Sequence, residues 1–350
     1  MLREDQLLIK KIHVIGIIIL LMGMSFNPSI AIDHVKKPSI PISNGYIQNL
    51  IDNASDGDTI YIPNGTYYEN IVIDKSISLI GEHKNTTIIN SNFNGNVVTI
   101  TADWVNISGF TIQNSKNDYF DTGDVGILIK SNYNKIYSNN INSNKMGGII
   151  LRNCNFNILK DNTITYNGII DRTYSGIKLE FSHKNTITSN VVSLNYGRGI
   201  GISESSNNNI SYNIISNNHG TGILLFDYWD NRNNNITHNI ISKNEHGIDI
   251  FQSVNNTIEF NNISNNKYGV YLLYNHKNFI IKNNFIKNKK HAYCVTWNED
   301  ELDSNFWDNW IGVRIKLPIF QRFPKIIVSF ALFIPIIMYD WHPANKPYDT

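Results

Sequence analysis

The stretch Asn134-Lys135-Ile136-Tyr137-Ser138-Asn139-Asn140-Ile141-Asn142-Ser143-Asn144 decides the fold, because its pattern returns six more times along the chain. The later copies begin at Asn157, Asn185, Asn208, Asn234, Asn256 and Asn278, with Leu, Val or Phe replacing some isoleucines. Asn fills the first, middle and last places in all seven. Between the copies stands a second unit, Gly-(Ile/Val)-x-(Ile/Leu), led by Gly126, Gly148, Gly176, Gly199, Gly222, Gly247 and Gly269. Ala292-Tyr293-Cys294-Val295 reads as a degenerate eighth quartet, and the intervals are 22, 28, 23, 23, 25, 22 and 23 residues. A low-complexity Asn tract would drift in phase; this one does not.

Within each quartet the apolar residues alternate with period two, which predicts a short strand and not a helix. Each repeat holds about three such strands, and the Asn positions, five residues apart, mark its corners. A coil of this length with three corners is one rung of a right-handed parallel β-helix. Successive rungs lie ~4.8 Å apart, so equivalent residues stack. Asn amides can then bond up and down the stack, as in cross-β Asn ladders. Ile136, Leu159, Ile187, Ile210, Ile236, Ile258 and Ile280 form one inward column, each contributing roughly 1.5–3 kcal/mol on burial. The expected fold is all-β: a single-stranded right-handed parallel β-helix of about ten rungs with a short N-terminal capping helix and a C-terminal cap.

Composition agrees. The 350 residues include 55 Asn and 59 Ile, nearly a third of the chain. Asn favours turns because its short amide tolerates the left-handed region, while Ile favours strands. A net charge of +1 with 17% charged residues argues against a polyanion such as nucleic acid as partner of the whole chain. The β-branched content excludes a disordered chain.

The flanks differ from the repeat. Arg3, Lys10 and Lys11 precede a largely apolar run from Ile12 to Phe26, and Ser29-Ile30-Ala31 supplies small residues. Residues 1–31 therefore read as a signal peptide, with a retained anchor as the alternative. Residues 32–58 read as linker and N-terminal cap, with helical spacing from Tyr46 to Ala54; 59–297 as the β-helix; 298–350 as C-terminal cap and tail. Ile326 to Met338 carries no charge, is short for a bilayer span and is interrupted by Pro335. It reads as a strand or hook closing the core. The two apolar terminal segments are the candidates for membrane association, and the chain is expected to be a secreted or cell-surface monomer. Eight Asn-x-Ser/Thr sequons fit export but arise readily by chance in so Asn-rich a chain.

Asp56-Gly57-Asp58-Thr59-Ile60-Tyr61-Ile62-Pro63-Asn64-Gly65-Thr66-Tyr67, Ile77-Ser78-Leu79-Ile80-Gly81-Glu82 and Trp104-Val105-Asn106-Ile107-Ser108-Gly109-Phe110-Thr111-Ile112 resemble the opening of NosD-like parallel β-helix proteins. Asn305-Phe306-Trp307-Asp308 is similar to the element that follows their repeats, and Asp340-Trp341-His342-Pro343 resembles a tail of archaeal members. The resemblance spans roughly residues 45 to 310. It implies an exported protein with carbohydrate-binding and sugar-hydrolase repeats, and for the namesake a role in copper-site assembly.

Aligning rungs by their glycines places outward residues in columns. Two places after the glycine stand Leu128, Ile150, Lys178, Gly201, Leu224, Asp249 and Tyr271; five after stand Ser131, Asn153, Phe181, Glu204, Asp227, Gln252 and Tyr274. Glu204 and Asp227 fall one rung apart, near the ~5–5.5 Å that retaining glycosidases place between two carboxylates. They are the candidate catalytic pair, although any acids on neighbouring rungs satisfy that spacing. Tyr228, Trp229, Tyr271 and Tyr274 offer flat faces for sugar rings, with Asp249, Arg198, Lys178 and Glu180 to bond hydroxyls. Phe226 and Phe251 either join that strip or only stack to cover the sheet. Arg152 beside Glu180 reads as an inter-rung ion pair.

No cofactor or metal site is expected. His183 and His276 stand four rungs apart, about 19 Å, and His246 and His291 two rungs, near 10 Å. Cys154 and Cys294 are about 29 Å apart, beyond disulfide reach, with Cys294 expected outward. The expected function is binding of extracellular polysaccharide or cell-envelope glycan without catalysis. A polysaccharide hydrolase or lyase, and an accessory role in copper-site maturation, are the alternatives.

Overall fold

The computed structural model describes residues 45–116, 124–168, 174–226, 232–295, 300–309, 325–331, 334–340 and 342–350. Among them every third strand joins the same sheet, so the chain winds as a right-handed parallel β-helix. The first sheet runs from Thr59–Ile62 and holds thirteen strands, the second from Gly65–Tyr68 with eleven, and the third from Ile71–Ile73 with ten. Ten turns result, as the repeat predicted. The inward column is in register: Ile107, Ile136, Leu159, Ile187 and Ile210 pair in sequence on the first sheet and are fully buried.

The ladder Asn residues are buried in three columns, one before each strand of the first sheet, one after it, and one after each strand of the second sheet. At Asn162 the backbone N–H and Nδ2 both donate to Oδ1 of Asn190 on the next rung, each at 3.0 Å. The same Nδ2 also donates to the Ile136 carbonyl, at 2.8 Å. Each amide thus satisfies turn groups that the three-residue strands leave unpaired, which a buried backbone must not leave orphaned.

One expectation is corrected here. The ladder Asn residues do not occupy the left-handed region; the residue before each does. Tyr133, Ser138 and Ser143 precede Asn134, Asn139 and Asn144 with φ of 61°, 56° and 58°, and the same holds on later rungs. Tyr, Phe, Leu and Lys all take this position, at about 1–2 kcal/mol each. The three or four bonds of the following amide offset that strain. The corner side chains face solvent and stack rung on rung. Trp104, Tyr133 and Phe156 lie with ring centroids 4.4 and 5.1 Å apart, and the Lys184 ammonium sits over the last ring. Tyr212, His238 and Phe260 repeat the device, ended by Lys282.

The leading glycines are required by close approach. A Cβ on Gly222 would stand 2.6 Å from the Gly247 carbonyl oxygen and 2.7 Å from Cγ2 of Ile241. The register also corrects the eighth quartet: Val270 pairs with Ala292 and Leu272 with Cys294, so His291, not Ala292, stands in the glycine column. A side chain is tolerated there because, among the described residues, Lys290–Cys294 is the last strand of its sheet. Cys294 therefore points inward and is fully buried, against the outward expectation.

Both ends are closed. The helix Tyr46–Asp52 buries Ile47 and Ile51 over the first rung, and the Glu69 carboxylate accepts the N–H groups of Ile47 and Gln48 at 3.0 and 2.9 Å. At the far end Lys325–Ala331 and Ile334–Asp340 form an antiparallel hairpin joined to the first sheet through Leu302 and Asp340. This is the closing hook that the uncharged segment predicted. The buried Asp340 carboxylate accepts from the backbone N–H groups of Ser304 and Asn305 and from Trp307 Nε1, at 3.1, 2.9 and 2.8 Å.

Candidate functional site: the outer face of the third sheet

The third sheet presents its outward residues in the predicted columns. Ile150, Lys178, Gly201, Leu224, Asp249, Tyr271 and Tyr293 pair in succession, and beside them run Arg152, Glu180, Ser203, Phe226, Phe251 and Leu273. The face is not uniform along its length. Leu128 and Ile150, although outward, are buried with Val125 and Met146 in a small second cluster against Tyr174, so the early rungs are covered.

In the middle, Glu180 is the hub of a charge cluster. Arg152 Nε donates to its Oε2 at 2.7 Å, and the Lys178 ammonium contacts its other oxygen. Burial would raise its pKa, but Lys178 and Arg152 outweigh that and hold it below the usual carboxylate range. These three residues are largely consumed by one another. Arg198 is half-buried on the neighbouring strand opposite Ser175.

The later rungs carry a cluster that the sequence columns only half contained. Asp249 accepts from His246 Nδ1 and from Thr221 Oγ1, each at 2.6 Å, so both carboxylate oxygens are engaged. His246 stacks on Tyr271 with centroids 5.0 Å apart and meets Tyr268 edge-on at 4.8 Å. Tyr293 closes the group at 5.3 Å from Tyr271 and 5.4 Å from Tyr268. Lys290 lies 4.6 Å from the Tyr293 ring centre and 5.6 Å from that of Tyr268, and Lys267 5.4 Å from the latter. Burial, then Tyr293 and Asp249, raise the Tyr271 pKa. His246, Tyr268 and Lys290 share the column immediately before the glycine. That column is legible in the sequence for His246 and Tyr268, but not for Lys290, which the one-residue shift of the eighth quartet displaces.

The remaining candidates lie elsewhere. Glu204 and Tyr274 belong to the corner beyond the sheet, in left-handed conformation with φ of 48° and 56°. Phe226 and Phe251 stack in parallel at 5.1 Å, and Tyr274 meets Phe251 edge-on at 6.3 Å. Asp227, Tyr228 and Trp229 fall outside the described residues.

A family model described as periplasmic copper-binding protein (NosD) matches residues 41–232 and, in an overlapping second match, 167–312. The chain belongs to the NosD family. No curated protein matches it in sequence. Among solved structures it is similar to ORF18 of Geobacillus virus E2, with 17% identity, a TM-score of 0.59, and coverage of 74% of this chain and 58% of that one. It is also similar to tailspike protein 2 of an Escherichia coli O157:H7 bacteriophage, with 13% identity, a TM-score of 0.57, and coverage of 74% and 40%. A third is XylC in complex with xylose, with 10% identity, a TM-score of 0.57, and coverage of 74% and 72%. At these identities the likeness is one of fold, and the chain spans only about half the length of the two viral proteins.

The family description names copper, so the donors of this member matter. Copper sites cluster imidazole, thiolate or thioether. Among the described residues no three His, Cys, Asp or Glu side chains come together as a metal site. Cys154 is buried, with its thiol pushed up to about 11 by desolvation. Cys294 is buried and lies against Met338 Sδ. The described residues do not fit a copper ion. Among them, too, no helix is long and apolar enough to cross a membrane.

Proposed function

We propose that this NosD-family chain is an exported β-helix that binds polysaccharide or cell-envelope glycan on the outer face of its third sheet. The observation that carries this reading is the half-exposed ring cluster of Tyr268, Tyr271 and Tyr293 around the His246–Asp249 pair. Aromatic faces pack on the apolar faces of sugar rings, while a neighbouring imidazole, carboxylate and ammonium bond their hydroxyls. Tyr274 and Arg198 extend the surface, and Lys178 and Glu180 shape its charged border. In solenoids, insertions commonly gather on the binding side. The xylose complex of XylC, which shares the fold, supports a sugar as the class of ligand. Residues 1–31 act as the export signal, 32–58 as linker and cap, 59–297 as the β-helix and 298–350 as the C-terminal closure.

Binding of the exported chain to a panel of neutral and acidic polysaccharides tests the reading. Retention that disappears in Tyr271→Ala and Tyr268→Ala is expected. Retention unchanged in both would remove the face from consideration.

A further inference from the structure

We propose that the glycan taken by this face is carboxylated, a polyuronate, and that Lys267, Lys289 and Lys290 recognise its carboxylates. This rests on the glycan reading above and specifies its ligand.

The near-zero net charge of the chain conceals a polarity along the helix axis. Between residues 45 and 110 the sequence holds seven carboxylates against two lysines, whereas between 260 and 298 it holds six lysines and no carboxylate. The segment that carries Tyr268, Tyr271 and Tyr293 is therefore rich in lysine, with Glu259 and Glu299-Asp300-Glu301 flanking it. Stacking then sorts these lysines by place. Lys277, Lys282 and Lys287 each take the left-handed position at one of the three corners of a single rung, with φ of 54°, 53° and 52°, so they ring the shaft. Lys267, Lys289 and Lys290 instead stand at the start of the quartet strands, beside Tyr268 and Tyr293.

In each group one lysine already holds a carboxylate. Lys282 pairs with Glu259 at 2.9 Å, and Lys267 reaches Glu245 at 3.3 Å across an exposed contact. Lys289 and Lys290 are exposed and, among the described residues, have no carboxylate within ion-pair distance. Lys290 is instead held over the faces of two tyrosines. An ammonium pinned beside an aromatic platform is placed to meet a carboxylate carried by a sugar stacked on that platform. Neighbouring rungs repeat at ~4.8 Å, so Lys267 and Lys289, one rung apart, can serve successive charged units of a polymer lying along the axis. A neutral glycan would leave these cations unused.

The test compares polygalacturonate with the same polymer after its carboxyl groups are reduced to alcohols, using the full folded chain and direct binding by calorimetry. Expected are binding of polygalacturonate that weakens with added salt, a loss of about tenfold or more on carboxyl reduction, and a similar loss in Lys289→Gln/Lys290→Gln. Lys277→Gln/Lys287→Gln, which removes equal charge from the corners, is expected to change affinity less than threefold. Equal affinity for the reduced polymer would overturn the charge inference while leaving glycan binding intact. Equal loss in the corner variant, or equally tight binding of double-stranded DNA, would reduce the effect to general cation exchange and overturn it as well. Failure to bind any neutral or acidic glycan of the panel would overturn the glycan reading itself, and this inference with it.

Discussion

Asn278 donates both its backbone N–H and its Nδ2 to a single carboxylate oxygen of Asp300, each at 2.9 Å. Asp300 thus stands where an Asn ladder would have its next member, and its other oxygen is buried without a hydrogen-bond partner among the described residues. Burial pushes its pKa up to about 6, against the bonds from Asn278 and the charge of His276. The folded-state value lies above the ordinary 3.8, so the folded state holds the proton more tightly. Below about pH 4 Asp300 is protonated in both states and costs nothing. Stability then falls as pH rises to about 6, and above that the penalty is constant. Asp300→Asn is expected to raise stability at pH 8 by on the order of 1–3 kcal/mol and to have little effect at pH 4, as read by urea unfolding at the two pH values.

A mid-stack amide should be far less tolerant than any surface residue. Asn213 donates to Oδ1 of Asn239 from its N–H and Nδ2, and Nδ2 also reaches the carbonyls of Ile187 and Ser211. Its own Oδ1 accepts two bonds from Asn190. Asn213→Ala leaves several of these groups buried and unpaired, and a loss of about 3–5 kcal/mol is expected by denaturant titration. A loss below about 1 kcal/mol would mean that water replaces the ladder.

The glycine column makes a paired prediction. Gly222→Ala places a methyl group inside the Gly247 carbonyl and Ile241 contacts and should destabilise by more than about 3 kcal/mol. His291→Ala, in the same column, lies on what is, among the described residues, the last strand of its sheet. Its cost should be confined to the His291–Asp308 contact at 2.7 Å and the packing of that ring on Phe285 and Trp307, well below that of the glycine variant. Thermal unfolding of the two variants side by side checks the difference.

At the proposed binding face, Asp249→Ala frees His246 Nδ1 and Thr221 Oγ1 and lets the imidazole leave its stack on Tyr271. Glycan affinity should fall about tenfold or more, while Thr221→Val, which removes one bond and keeps the shape, should fall less. Circular dichroism that stays native in both variants separates loss of binding from loss of fold.

How far each feature was legible follows from the range of the interaction behind it. Ile107 through Ile280 could be placed in one column because a strand sends alternate residues inward and a repeat brings them back in phase. The amide ladder was legible for the same reason. The left-handed corners were not: the strain sits on Tyr133, Phe156 or Leu194, residues whose types carry no turn signal, and is imposed by the bonds of the Asn that follows. The site was half legible. Asp249 and Tyr271 share one outward column by period two, whereas His246 stands before the glycine one rung earlier and meets Tyr271 only because the rungs stack in register.

By itself the sequence determined that three short strands per turn would stack into a long parallel coil with isoleucine inside and asparagine at its bends, because periodicity and burial act locally and repeat. Only the tertiary structure decided which outward residues meet. On the third sheet, paired residues of neighbouring rungs are 22 or more positions apart in the chain, and their contact depends on register to within one residue. That single residue moved Cys294 from the surface into the core and put His291 in the place of a glycine.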